Sequence, residues 1–340
     1  MLLMRRAVTV CALALLGGIA VAQEIAAPAL PDIDLFANSK ASWFQRDGLK
    51  PYYFVVHRPA LLVFWRADDA DTMERIVPAM VALAESKEDE LAVLFVERSQ
   101  MPYTEMLRAV AIHRWLGSPA LWTSDAPAGA EQLDAPCFVL LGRDQRPVLT
   151  GHPLTDQQKL DVAIRDAFEE CRFGPADLPA EARAARQALQ EGRYAKAFGL
   201  PAAADRARAR GDAAEADVLE AQARWIEDDI QLRFDSLHGM LFRGTSAAAL
   251  PRLQALSKAL EALPNDNRLR EVVTSSLAAW DCGEALVEVQ ASAKLMKLQG
   301  ALYAKGPSDS LAASLRKFAA AEPGTHAAER ATFLASIAAP

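Results

Sequence analysis

Thiols and imidazoles are scarce in this chain, whose 340 residues include four cysteines and five histidines. So few cysteines exclude a dense disulfide framework. His57, His152, His238 and His326 show no metal-ligand spacing, and there is no G-x-S-x-G elbow, phosphate-binding glycine loop or triad pattern. Neither a metal nor another cofactor is therefore expected. His113 falls at the margin of a helix face, where imidazole is an ordinary boundary residue. Positive charge is short as well: 37 Lys and Arg stand against 44 Asp and Glu, a net charge of -7. That is the wrong sign for a nucleic-acid partner, whose phosphates need a basic face.

Residues 1–22 read as a secretory leader. Arg5 and Arg6 precede an apolar stretch from Ala7 to Leu16, and Ala20-Val21-Ala22 forms an A-x-A cleavage site before Gln23. Gly17-Gly18 interrupts a run already short for spanning a bilayer, so export with cleavage after Ala22, to the periplasm or the medium, is expected. No membrane span is expected once the leader is gone. Cys11 leaves with it, and loss of the two arginines takes the net charge from -7 to -9. Cys137, Cys171 and Cys282 remain, an odd number that implies at least one free thiol or an intermolecular bond.

What is present is ordinary globular composition, 51% hydrophobic and 24% charged, in a chain long enough for two domains. The chain is organised around Pro59 to Thr72, PALLVFWRADDADT. The unbroken apolar run Ala60 to Trp65, bounded by Pro59 and an acidic turn, predicts a strand buried on both faces. Met73, Ile76, Val77, Met80, Val81 and Ala84 then recur at steps of three and four, predicting a helix with one apolar stripe against the sheet. The strand thus delivers a loop to a helix N-terminus, where amides and the helix dipole favour a thiolate. Here that loop is Asp68-Asp69-Ala70-Asp71-Thr72. Three carboxylates are explained by capping and the dipole, and their spacing is not that of a calcium loop.

Leu91 to Val96 predicts a second buried strand, making a right-handed parallel βαβ unit with the first. Thr104 to Leu116 predicts a helix with Leu107, Val110 and Ala111 inward. Ala135 to Gly151, APCFVLLGRDQRPVLTG, predicts a hairpin turning at Gly142 to Gln145. A helix follows from Asp156 to Cys171, capped by Thr155, with Leu160, Ile164, Ala167, Phe168 and Cys171 on one side. Gly174-Pro175 ends it.

Residues 43–173 resemble the exported proteins of the thioredoxin superfamily, in which Phe-Trp at the strand end leads into a C-x-x-C loop. Phe64-Trp65 matches. Counting forward from that pair places the family's C-x-x-C on Asp69, Ala70, Asp71 and Thr72; counting back from Pro78 places it on Ala70 to Met73. Neither register contains a thiol. In the family the proline opening the hairpin's first strand is cis and faces the redox loop, and Pro136 holds that position. The resemblance implies an α/β fold with a central mixed sheet flanked by helices, and a redox-inactive corner.

From Leu178 onward alanine is abundant and glycine or proline separates helix-length segments. Val218, Leu219, Ala223, Ile226 and Ile230 make one stripe; Leu250, Leu253, Leu256, Leu260 and Leu263 make another. Leu189-x-x-Gly192-x-Tyr194-x-x-Ala197 and Leu263-Pro264-Asn265 look like parts of a tetratricopeptide repeat, although a 34-residue spacing does not recur. The expected organisation is a leader at 1–22, an extended lead-in at 23–42, a thioredoxin-like domain at 43–174 and an all-α, helical-repeat-like domain at 175–340.

Cys137 is the one thiol placed for chemistry, beside Pro136. Against a redox role, it enters an apolar strand, and Asp68, Asp69 and Asp71 would raise its pKa. Cys171 and Cys282 read as structural, and a Cys137 to Cys171 bridge stays open. The expected function is binding of a protein or peptide partner, without enzyme activity, through Trp65, Asp68, Asp69, Asp71 and Pro136. The alternatives are a thiol-disulfide oxidoreductase using Cys137 and a structural subunit of an envelope assembly.

Overall fold

The computed structural model describes residues 33–35, 42–48, 55, 58–142, 144–175, 177–280 and 283–339. The leader, most of the lead-in, His57, Cys11 and Cys282 lie outside the described residues.

The apolar run after Pro59 forms strand β1, Ala60–Trp65, with every residue buried. Its side chains alternate. Leu61, Val63 and Trp65 enter one core, while Ala60, Leu62 and Phe64 enter the core on the opposite face. A π-helical turn, Thr72–Ile76, leads into helix α1, Val77–Ser86. Pro78 lacks an amide hydrogen and its ring crowds the carbonyl four residues back. The turn ahead of it is wide, with the Val77 amide donating to the Thr72 carbonyl.

Strand β2, Ala92–Glu97, pairs parallel with β1, as the βαβ pattern requires. Helix α2, Tyr103–Ile112, buries Met106, Leu107, Val110 and Ala111. It stops short of Leu116, because Arg114 turns left-handed (φ 65°) and a 3-10 turn, Trp115–Gly117, follows. Strand β3, Leu121–Thr123, was not expected; it pairs parallel with β2 and bridges to Phe44 on its other side. The hairpin strands are β4, Cys137–Leu141, and β5, Pro147–Gly151. β4 runs antiparallel to β1, giving one mixed sheet in the order β3-β2-β1-β4-β5 among the described residues.

Helix α3, Gln157–Phe173, follows the hairpin. Thr155 does not cap it. Asp156 holds the cap position, and its carboxylate accepts from the His152 amide at 3.0 Å and from the Lys159 ammonium, with no side-chain cap bond to a first-turn amide. The carboxyl of Asp156 is held below its ordinary range first by that amide and then by Lys159. This sheet with its flanking helices is the thioredoxin-like fold.

Nine helices follow among the described residues: α4 Ala180–Gln190, α5 Tyr194–Ala197, α6 Leu200–Ala209, α7 Ala213–Leu241, α8 Ser246–Leu260, α9 Arg268–Ala279, α10 Gly283–Lys305, α11 Asp309–Ala321 and α12 His326–Ala338. Asp212, Asn267, Ser308 and Thr325 cap α7, α9, α11 and α12 through their side chains, the residue types that satisfy first-turn amides best.

Residues 31–340 make one compact unit containing two large helical cores. Helices α4 to α9 build their own, from Leu189, Leu219, Ile230, Leu253, Val273 and neighbours. Of the last three helices, α10 touches it through Ala285 and Val289. Leu295 and Leu302 of α10, Leu315 of α11 and Ala331 and Leu334 of α12 pack with Val63, Phe95 and Trp122 in the core on the helical side of the sheet. Arg108 of α2 donates to the Ser336 carbonyl at 3.1 Å, and Arg330 donates to the Arg46 carbonyl at 2.7 Å. The opposite face of the sheet is covered by Ile33, Leu35, Val55 and the segment around Ala130.

Candidate functional site

Three connections meet at the end of β1: 66–71 into α1, 97–101 into α2, and 134–136 into β4. Phe64 pairs with Cys137 across β1 and β4, so Pro136 stands beside the end of β1. The Ala135–Pro136 peptide bond is cis.

The loop that the resemblance assigns to cysteines is acidic and internally paired. Asp68 accepts from Arg66 through both oxygens, at 3.0 and 2.8 Å, which holds the Asp68 carboxyl below its ordinary range. The Asp69 carbonyl accepts from the Met73 amide, and its carboxylate from the Asp71 amide and the Thr72 hydroxyl. Asp71 pairs with Arg75 at 2.7 Å. Each carboxylate is matched by a donor two to four residues away, Asp68 and Asp71 by arginines and Asp69 by neutral groups, so the loop keeps one net negative charge. Asp69 is half-buried at the helix start and Thr72 is fully enclosed. No group of three or more His, Cys, Asp or Glu converges as a cation site among the described residues.

Trp65 is not part of a surface. It is fully buried, packing edge-on against Trp122 at a centroid distance of 5.9 Å, because position 65 shares the parity of Leu61 and Val63 and faces the helical core. Asp68 and Asp71 are exposed, and Pro136 is half-buried.

Sequence reading missed Glu97. It ends β2 opposite Trp65, is 1% exposed, and binds backbone on two of the three connections. Its carboxylate accepts from the amides of Ala67 at 3.2 Å, Ser99 at 2.7 Å and Met101 at 3.3 Å. Next to it, the Arg98 amide donates to the Trp65 carbonyl and the Arg98 guanidinium to the Glu131 carbonyl. Glu97 thus fixes the corner's shape. The signal in the sequence was a charged residue directly closing an apolar strand.

Cys137 is half-buried and carries a free thiol. Burial pushes its pKa up to about 11; Asp134 adds to the shift, and Arg98 opposes it. The acidic neighbour that matters is Asp134, since the loop aspartates are matched by their own arginines and amides. At pH 8 about one molecule in a thousand holds the thiolate. Alkylation of native Cys137 by iodoacetamide is therefore expected to accelerate about tenfold per pH unit up to pH 10. A rate that levels off near pH 8 or 9, followed by peptide mapping of the adduct, would contradict this. Cys171 is buried on α3.

The chain matches no protein-family model and no curated protein. Solved structures match part of it. A thioredoxin-like protein in its oxidised form is 18% identical, covering 42% of this chain and 97% of its own, with a TM-score of 0.32. A thiol-disulfide isomerase from Corynebacterium glutamicum is 13% identical, covering 43% of this chain and 98% of its own, also with a TM-score of 0.32.

Proposed function

We propose that this protein is an exported, non-catalytic member of the thioredoxin-like group that binds a protein or peptide partner in the cell envelope, its first 22 residues being a cleaved leader. The observation that carries the reading is the corner itself. Where thiol chemistry would need a reactive pair, the loop holds Asp69 and Thr72 locked to each other, and the adjacent Cys137 is a poor nucleophile at neutral pH. The scaffold around them is nonetheless held firmly by Glu97, which is what a recognition surface needs and a discarded active site does not. Contact would fall on Asp68, Asp69, Asp71 and Pro136, with Trp65 supporting them from below. The all-α half, read as a divergent tetratricopeptide-like array, would add a second surface.

The test pairs an activity assay with site-directed crosslinking. The exported chain and its Cys137→Ser variant are both expected to leave the rate of insulin reduction by dithiothreitol unchanged. A photo-crosslinker at Asp68 is expected to capture a defined envelope protein that the same group at Arg165, on the exposed face of α3, does not. Accelerated insulin reduction that disappears in Cys137→Ser would replace this reading with a thiol-disulfide oxidoreductase.

A further inference from the structure

A cleft of about 690 Å³ opens where the start of β1, the end of α3 and helices α7 and α8 come together. The length of β1 separates it from the acidic loop by about 20 Å. Among the described residues four arginines line it, Arg58, Arg172, Arg233 and Arg252, with Asp89 as the one acidic lining residue. In a chain of net charge -7 this is a local reversal of sign.

Pairing removes part of that charge. Arg58 donates to the Glu88 carbonyl and feels Asp89 and Glu88, and Arg233 is bonded to the buried Asp229 at 2.7 Å. Two cations remain in excess. Arg172 makes no ion pair among the described residues; its guanidinium lies 5.0 Å from the Phe173 ring centre and 6.0 Å from that of Phe168. Arg252 reaches only Asp47, at 4.0 Å and half exposed, a contact of little strength in water. The rest of the wall is apolar, including Phe168, Leu237 and Leu256. Guanidinium forks match carboxylate and phosphate oxygens in pairs, and clefts of this volume suit small organic molecules.

We propose that this cleft binds a small organic anion, a carboxylate or phosphate joined to an apolar body, with Arg172 and Arg252 taking the anionic group and the Phe168, Leu237 and Leu256 side taking the body. The site is separate from the corner proposed for partner binding and does not depend on that reading.

Calorimetric titration of the full chain with 1-naphthoate, 1-naphthyl phosphate and neutral 1-naphthalenemethanol tests it. At least one anion is expected to bind about tenfold tighter than the alcohol, and the stronger of the two identifies the preferred head group. Arg172→Ala and Arg252→Ala are each expected to weaken that anion about tenfold, with Arg172→Lys falling between, since lysine keeps the charge and loses the fork. Arg165→Ala, elsewhere on α3 and paired with Asp166, is expected to change nothing. Urea midpoints confirm folding, and if one variant fails that check the other decides. Equal binding of the alcohol, unchanged affinity in the folded arginine variants, or no saturation by any anion up to about 10 mM overturns the proposal.

Discussion

Gly244→Val is expected to destabilise the protein by about 3–5 kcal/mol, the largest effect of any single change considered. Gly244 makes the turn between α7 and α8 at φ 69°, a region that β-branched residues avoid. A Cβ there would also sit 2.7 Å from the His326 carbonyl oxygen and 2.9 Å from the Cα of Ala327. Both are backbone atoms, so no flexible side-chain end can swing away. The start of α12 is fixed in turn by Glu288 of α10, whose carboxylate accepts from the His326 amide at 2.8 Å and the Ala327 amide at 3.1 Å. Ser292 completes the junction, donating to the Gly244 carbonyl and accepting from the Ala247 amide. The control is Gly211→Val. That residue has φ 83° but nothing within 4 Å of its added Cβ, so it should lose only the conformational part, about 1–2 kcal/mol. Urea unfolding of both variants reads the difference. Equal losses would show that the helix junction is slack.

Glu97→Ala is expected to cost about 3 kcal/mol, because it strips a buried carboxylate from three amides and leaves them without acceptors. Glu97→Gln should lose about half as much, since its carbonyl oxygen still accepts while its amide nitrogen faces other donors. Stability alone would not show that Glu97 shapes the corner. Amide exchange does: Ala67, Ser99 and Met101 should lose protection in Glu97→Ala under conditions where the amides of β1 keep theirs. Uniform loss over the whole sheet would mean that Glu97 serves the fold and not the corner.

The elements that sequence reading located well are those whose signal is local. β1 falls on the predicted residues because an apolar run buried on both faces has hard edges, Pro59 before it and Arg66 after it. The hairpin around Gly142 follows from turn chemistry, whereas the cis bond at Pro136 was an expectation of the resemblance. β3 was invisible, being three residues whose extended form depends on β2 and Phe44 alongside. The alanine-rich stripes identified helices without naming their partners. Nothing in the periodicity of α10, α11 or α12 says which of them reach the sheet, or that α10 also packs against the core of α4 to α9. Trp65 could have been placed correctly from parity alone, since it falls in step with Leu61 and Val63; the resemblance drew it toward the surface. Glu97 and Arg172 act through what surrounds them, a nest of amides in one case and a cleft in the other, and neither arrangement is a spacing along the chain.

The seating of the final helix against the first strands bears on synthesis. Phe333 lies 6.4 Å, ring centre to ring centre, from Phe44. During translation the part of the sheet's helical side that α10 to α12 cover would stay open while the residues between Gly151 and His326 are made, the rest being covered by α1, α2 and α3. Such a nascent chain presents an apolar patch that a holding chaperone can shield, and its folding includes the slow closure of a very large loop.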